Sequence, residues 1–121
     1  GWDALSRDVR EQADTPWFRS WLLFEPADAM RRFNQPVLVV NAALDAEVPA
    51  AHGARLETLA RDRKNAVSAL NRLVTLPGVN HLLVPAKTGD VAEYSTLGPD
   101  AKVAPEVTSA IATFLSKVMK H

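Results

Sequence analysis

Residues 35–49 read QPVLVVNAALDAEVP, and they supply the clearest structural statement in the chain. A residue that precedes proline is pushed into extended backbone, so Gln35 enters Pro36 already strand-like. Val37, Leu38, Val39 and Val40 then form a continuous apolar run rich in β-branched side chains. A strand with one wet face alternates apolar and polar residues. An unbroken run predicts burial on both faces, as in a parallel strand of an α/β sheet. The run ends at NAALDAEVP, where Pro49 opens a helix over residues 50–64. Its spacing turns Ala51, Ala54, Leu56, Leu59 and Ala60 inward and Arg55, Arg61, Asp62 and Arg63 outward.

Downstream, the poorly patterned NAVSALN (65–71) leads into RLVTL (72–76), a second strand stopped by Pro77 and Gly78. The last helix begins with Pro105 and Glu106 in its first turn. Its apolar set is Val107, Ala110, Ile111, Phe114, Leu115 and Val118, which keeps helical spacing. Strand, helix, strand, helix predicts an α/β fold: one right-handed βαβ unit plus covering helices. Two strands buried on both faces are too little sheet for a domain standing alone.

Upstream, residues 1–15 are polar, and Thr15 caps a helix with Pro16 at its first position. That helix carries Trp17, Phe18, Trp21, Leu22 and Phe24, a ring density expected of a buried core helix or a substrate-pocket wall. Glu25 and Pro26 interrupt it, and PADAMRRF reads as a further short helical turn. The chain therefore divides into residues 1–24 and residues 25–121.

Of the 121 residues, 47% are hydrophobic and 23% charged, the balance of a soluble globular chain rather than a disordered one. Fourteen basic residues offset fourteen acidic ones, so no net field recruits nucleic acid or an anionic membrane. The apolar runs PVLVV and WLLF fall far short of the roughly 18 residues of a membrane helix. The stretch GWDALSRDVREQ lacks the apolar core of a signal peptide, and the compartment stays open. The absence of cysteine excludes disulfides, thiolate metal ligands and a cysteine nucleophile. No phosphate loop, dinucleotide fingerprint or metal cluster is visible, so no cofactor is expected.

Reactive groups in parallel sheets gather beyond the carboxyl ends of the strands. Asp45 follows the first strand and His81 the second, in LPGVNH (76–81), so neighbouring strands would raise both side chains on one rim. A carboxylate bonded to an imidazole Nδ1–H fixes the tautomer, orients the ring and stabilises the imidazolium formed during proton transfer. Each residue also has a plainer use: Asp45 closing an Asx-turn, Glu47 as a solvated loop charge, and His81 bonding to backbone. A metal site of His52, His81 and Asp45 is disfavoured, because His52 falls in the first turn of a helix with no ligand at i+4. His121 is terminal. The loop PAKTGDVAEYSTLGPDAK (85–102) is unpatterned; its Asp90 and Tyr94 either line a substrate cleft or face solvent.

The succession QPVLVVNAALDAEVP, helix, VTLPGVNHLLVP, APEVTSAIATFL resembles the C-terminal part of α/β-hydrolases, over residues 16–118. The nearest likeness is to esterase- and peptidase-like members related to prolyl oligopeptidases and dipeptidyl peptidases. In that family the penultimate strand ends in G-x-x-D-x-x-V-P, which carries the acid of the catalytic triad. Asp45, followed by Val48 and Pro49, matches it, with Ala42 where glycine is usual. The last strand ends near P-G-x-x-H, which makes His81 the triad base. The family nucleophile sits in an upstream G-x-S-x-G elbow. None of Ser6, Ser20, Ser68, Ser95, Ser109 and Ser116 has flanking glycines in that pattern. The resemblance thus implies a portion of an α/β-hydrolase sheet: a serine-hydrolase fragment holding acid and base, with nucleophile and oxyanion donors elsewhere. Residues 1–24 become a cap remnant. The full-length enzyme would act on a small ester or peptide substrate, and this chain alone would be inactive. A non-catalytic binding or assembly module of hydrolase ancestry, and a dehalogenase-like aspartate nucleophile, stand as alternatives. The edge of the first strand, or helix 16–24, would be covered by self-association or by the missing N-terminal half.

Overall fold

The computed structural model describes residues 2–63 and 66–120. Their elements run α1 (Arg7–Ala13), α2 (Pro16–Leu22), α3 (Pro26–Arg31), β1 (Leu38–Ala42), α4 (Ala50–Arg61), β2 (Arg72–Leu76) and α5 (Pro105–Val118). Short 3-10 segments lie at Trp2–Ala4, Ala66–Leu70 and Val91–Thr96. His121 lies outside the described residues.

β1 and β2 pair in parallel, from Leu38 opposite Arg72 to Ala42 opposite Leu76. Where they begin, the buried Asn71 gathers three segment ends. Its Oδ1 accepts the Val37 N–H at 2.9 Å and Arg63 Nη2 at 3.0 Å, and its Nδ2 donates to the Ala60 carbonyl at 2.8 Å. The NAVSALN stretch, which has no readable pattern, therefore ends on a residue that fastens both strands to the end of α4.

Strand alternation sends β1 side chains to two faces. Val40 and Ala42, with Val74 and Leu76 of β2, pack under α5 in a core with Val79, Leu83, Ala104 and Val107. On the other face Asn41 points at α4, where its Nδ2 donates to the Ala50 carbonyl at 3.3 Å. That amide fills the space beside Gly53: a Cβ there would come within 2.0 Å of Asn41 Oδ1. This alters the expected face of α4. Gly53 and Ala60 are buried and Leu56 and Leu59 half-buried, whereas Ala51 and Ala54 are exposed. A polar residue inside the strand has turned the helix, because its amide needs both room and a partner.

α5 buries Val107 and half-buries Ala110, Phe114 and Val118, but leaves Ile111 and Leu115 exposed. Its apolar face is wider than two strands can cover. α2 forms for the expected local reasons, since Thr15 Oγ1 accepts the Phe18 N–H at 3.1 Å and Pro16 occupies the first turn. Its burial differs from expectation: Trp17 is 72% exposed and Trp21 63%, and the helix ends before Phe24, which is 60% exposed. Phe18 and Trp21 stack tilted at 5.9 Å, and α2 buries no residue. A core helix needs a core, and nothing among the described residues covers the two tryptophan rings. The polar first segment holds α1, set by a Ser6 cap on the Val9 N–H and an Arg7 to Glu11 ion pair one turn apart. Between α2 and α3, Glu25 turns its carboxylate onto the Ala27 N–H and starts the new helix.

Candidate functional site

Each strand delivers one side chain to the same rim. After β1, the Ala43 N–H donates to the Leu76 carbonyl at 2.8 Å and the Leu44 N–H to the Val79 carbonyl at 2.9 Å. These bonds carry the strand pairing into the loops. In the loop before α4, Asp45 Oδ1 accepts the N–H groups of Glu47 and Val48, at 2.9 and 2.8 Å. That is the Asx-turn of the plainer reading, and it occupies one oxygen only. Oδ2 is turned the other way, toward β2.

After β2, Pro77 and Gly78 turn the chain, with Gly78 at φ +67, a left-handed value that glycine adopts without cost. Val79 and Pro85 then face each other in an antiparallel bridge, with the Asn80 N–H on the Val84 carbonyl at 3.1 Å. The result is a tight arch with His81 near its tip. Asn80, fully buried, props it from within: its Oδ1 accepts the N–H groups of Leu82 and Val84. Leu83 sits at φ +59, held by its N–H on the Asn80 carbonyl and its carbonyl under the Ala104 N–H. A branched side chain in that region costs about 1–3 kcal/mol and persists only where surrounding bonds over-determine it.

His81 Nδ1 lies 3.0 Å from Asp45 Oδ2. An ionised carboxylate only accepts, so the proton on Nδ1 belongs to the imidazole and Nε2 of the neutral ring is left with its lone pair. The His81 side chain is 37% exposed and that of Asp45 16%. The imidazole is open to solvent while the carboxylate beside it is shielded. The charge balance follows the geometry. The hydrogen bond to Asp45, with the fields of Asp45 and Glu47, outweighs burial and raises His81 above its ordinary value. For Asp45, burial is the largest single influence and pushes upward. The Val48 N–H, His81 and the Glu47 N–H together outweigh it and hold the carboxyl below its ordinary value.

Beside the pair is a cleft of about 280 Å³, lined by Val39, Asn41 and Leu56 as well as by Asp45, His52 and His81. His52 thus shares the cleft, yet among the described residues no group of three His, Cys, Asp or Glu side chains is disposed to hold a metal ion. The larger cleft, about 460 Å³ between the sheet and α5, contains neither Asp45 nor His81.

Glu47 and Asp90 are exposed, as their loop positions suggest, and Tyr94 is half-buried; each has a specific partner. Glu47 accepts a hydrogen bond from the Tyr94 hydroxyl at 2.6 Å. This bond, with burial and the fields of Glu47 and Asp45 adding to it, pushes Tyr94 up to about 12. Asp90 caps the 3-10 segment Val91–Thr96, its Oδ1 accepting the Ala92 N–H at 2.8 Å. Tyr94 and Glu47 are far apart in sequence and share no periodicity; the sequence offers only a single tyrosine in the loop that follows His81. Comparison of the chain with protein-family models, with curated proteins and with solved structures finds no match.

Proposed function

We propose that this chain carries the acid and the base of a serine-hydrolase triad. In this reading it is the C-terminal region of an α/β-hydrolase of the esterase-, prolyl oligopeptidase- or dipeptidyl peptidase-like kind. The observation that carries the reading is the 3.0 Å approach of His81 Nδ1 to Asp45 Oδ2 beyond the carboxyl ends of two adjacent parallel strands. His81 Nε2 would take the hydroxyl proton of a serine as its oxygen attacks the acyl carbon. The same proton is then given to the departing alcohol or amine. Asp45 stays ionised throughout and stabilises the transient imidazolium. Water follows the same path in the second half-reaction and releases the acid. This chemistry needs no cofactor. Serine and oxyanion donors lie outside these residues, since no serine here stands in a G-x-S-x-G elbow.

The test has two arms. The chain alone, given a nitrophenyl ester, is expected to show no turnover, and turnover abolished by His81→Ala would overturn the division of the triad. The gene sequence upstream is expected to encode a strand followed by G-x-S-x-G. Joined to that segment the chain should hydrolyse the ester, and His81→Ala should then cost on the order of 10⁴-fold or more in kcat. An aspartate at the elbow would move the chemistry to a dehalogenase-like displacement. An upstream sequence with no elbow would make the chain a binding or assembly module.

A further inference from the structure

Segment 87–97 is a surface loop by composition, yet it is cross-linked by its own hydrogen bonds and meets the loop that carries Asp45. Internally, the Glu93 carboxylate gathers the N–H groups of Lys87, Thr88 and Gly89, at 2.9, 3.3 and 3.0 Å, and the Thr88 hydroxyl at 3.2 Å. The backbone donors hold Glu93 below its ordinary value, the Lys87 N–H foremost. Outwardly, the segment meets the carboxylate loop at two points. Gly89, buried at φ +78, lies so close to Leu44 that a Cβ would stand 1.8 Å from the Leu44 carbonyl oxygen. Five residues on, the Tyr94 hydroxyl donates to Glu47 Oε1 at 2.6 Å. Glu47 is also one of the two residues whose N–H groups hold Asp45 Oδ1. Residue 47 thus links the Tyr94 hydroxyl, through its side chain, to the Asp45 carboxylate, through its N–H.

We propose that Tyr94 and Glu47 are positioning residues of the Asp45 and His81 pair: their hydrogen bond ties segment 87–97 to the acid loop and keeps Asp45 Oδ2 within reach of His81 Nδ1. The inference rests on the triad reading for its functional meaning, but its geometry can be tested without a substrate. Glu47 has two separable attributes, a charge near His81 and an acceptor for Tyr94, and three substitutions pull them apart. Tyr94→Phe removes the tether and keeps the charge. Glu47→Gln removes the charge and keeps an acceptor for the hydroxyl. Glu47→Ala removes both.

The readout is the solvent exchange of the His81 Nδ1 proton, followed by nuclear magnetic resonance on the full chain with ¹⁵N-labelled histidine. His81→Gln identifies the resonance among the three histidines. If the tether positions the pair, exchange quickens about five-fold in Tyr94→Phe and Glu47→Ala, the weight of one net hydrogen bond, and stays within about two-fold of the parent in Glu47→Gln. The reverse pattern, with Glu47→Gln and Glu47→Ala altered alike and Tyr94→Phe unchanged, would assign the effect to charge and overturn the proposal. Thermal melts of each variant monitor folding, and Tyr94→Phe deletes a single oxygen from a half-exposed side chain. Failure of the underlying pair would look different: no protected Nδ1 proton in the parent chain, or one that Asp45→Asn leaves untouched.

Discussion

Asp45 divides its two oxygens between a turn and a histidine, so its substitutions separate structure from charge. Asparagine at this position retains an oxygen for the N–H groups of Glu47 and Val48 and loses the negative charge facing His81. The pair also gives stability a pH signature. His81, raised above its ordinary value of about 6.5, binds its proton more readily when folded. Its contribution is complete below about 6.5 and disappears as pH rises through the folded value. Asp45, lowered from about 3.9, contributes above that value and loses its contribution as pH falls through the folded one. The melting temperature should therefore be highest between about pH 4 and 6.5 and decline on the alkaline side. Circular-dichroism melts of Asp45→Asn should show that alkaline decline flattened. On the acid side Glu93 and Asp14, both lowered, share the dependence, so a residual fall there is expected. An unchanged alkaline limb in Asp45→Asn would contradict the pairing.

The elements differ in how far their neighbours, rather than their own residues, decide what they do. β1 and β2 were readable because β-branched runs bounded by proline and glycine prescribe extended backbone locally. The rim positions of Asp45 and His81 followed from where those runs stop. The inward face of α4 was not readable, because Asn41 on another element displaces it. Asn71, Asn80 and Tyr94 were silent for the same reason. An amide or hydroxyl acquires a role only from the backbone groups that folding brings to it, and no spacing in the sequence announces those. Segment 87–97 gives the sharpest case at this scale. Gly89→Ala adds one methyl at φ +78 against the Leu44 carbonyl, and should destabilise the chain by about 1–3 kcal/mol. Gly98→Ala, with nothing within 4 Å of its Cβ, serves as the control and should lie within about 0.5 kcal/mol of the parent. Urea titrations of the two variants measure the difference, and equal midpoints would show that the segment does not press on the acid loop.

At the scale of the molecule, the sheet and the helices do not match in extent. Two strands leave β1 with one unpaired edge among the described residues, and α2 with the residues after it shows Trp17, Trp21, Leu22 and Phe24 to solvent. Exposed strand edges and contiguous apolar patches both favour association. With 14 basic and 14 acidic residues, the chain has no net charge at neutral pH to oppose it. The isolated chain should sediment as a concentration-dependent mixture of monomer and larger species. Trp17→Glu combined with Trp21→Glu should shift that mixture toward monomer. A single monomeric boundary together with a cooperative melt would show that neither surface needs a cover.

A pair of short parallel strands has no hairpin turn to tell one strand where to begin against the other. A slip of one residue would turn every side chain to the other face, so Asn41 in β1, with its amide on the Ala50 carbonyl, marks the register from inside the ladder. Asn71 adds a second mark from outside it. Shifting β1 by a single residue would carry the Val37 N–H away from a buried oxygen that also binds Arg63, beside a nitrogen committed to Ala60. The slip would also leave a desolvated amide without a partner that it cannot replace from water. Two asparagines, one within β1 and one just ahead of β2, thus act as the index marks by which the ladder is aligned.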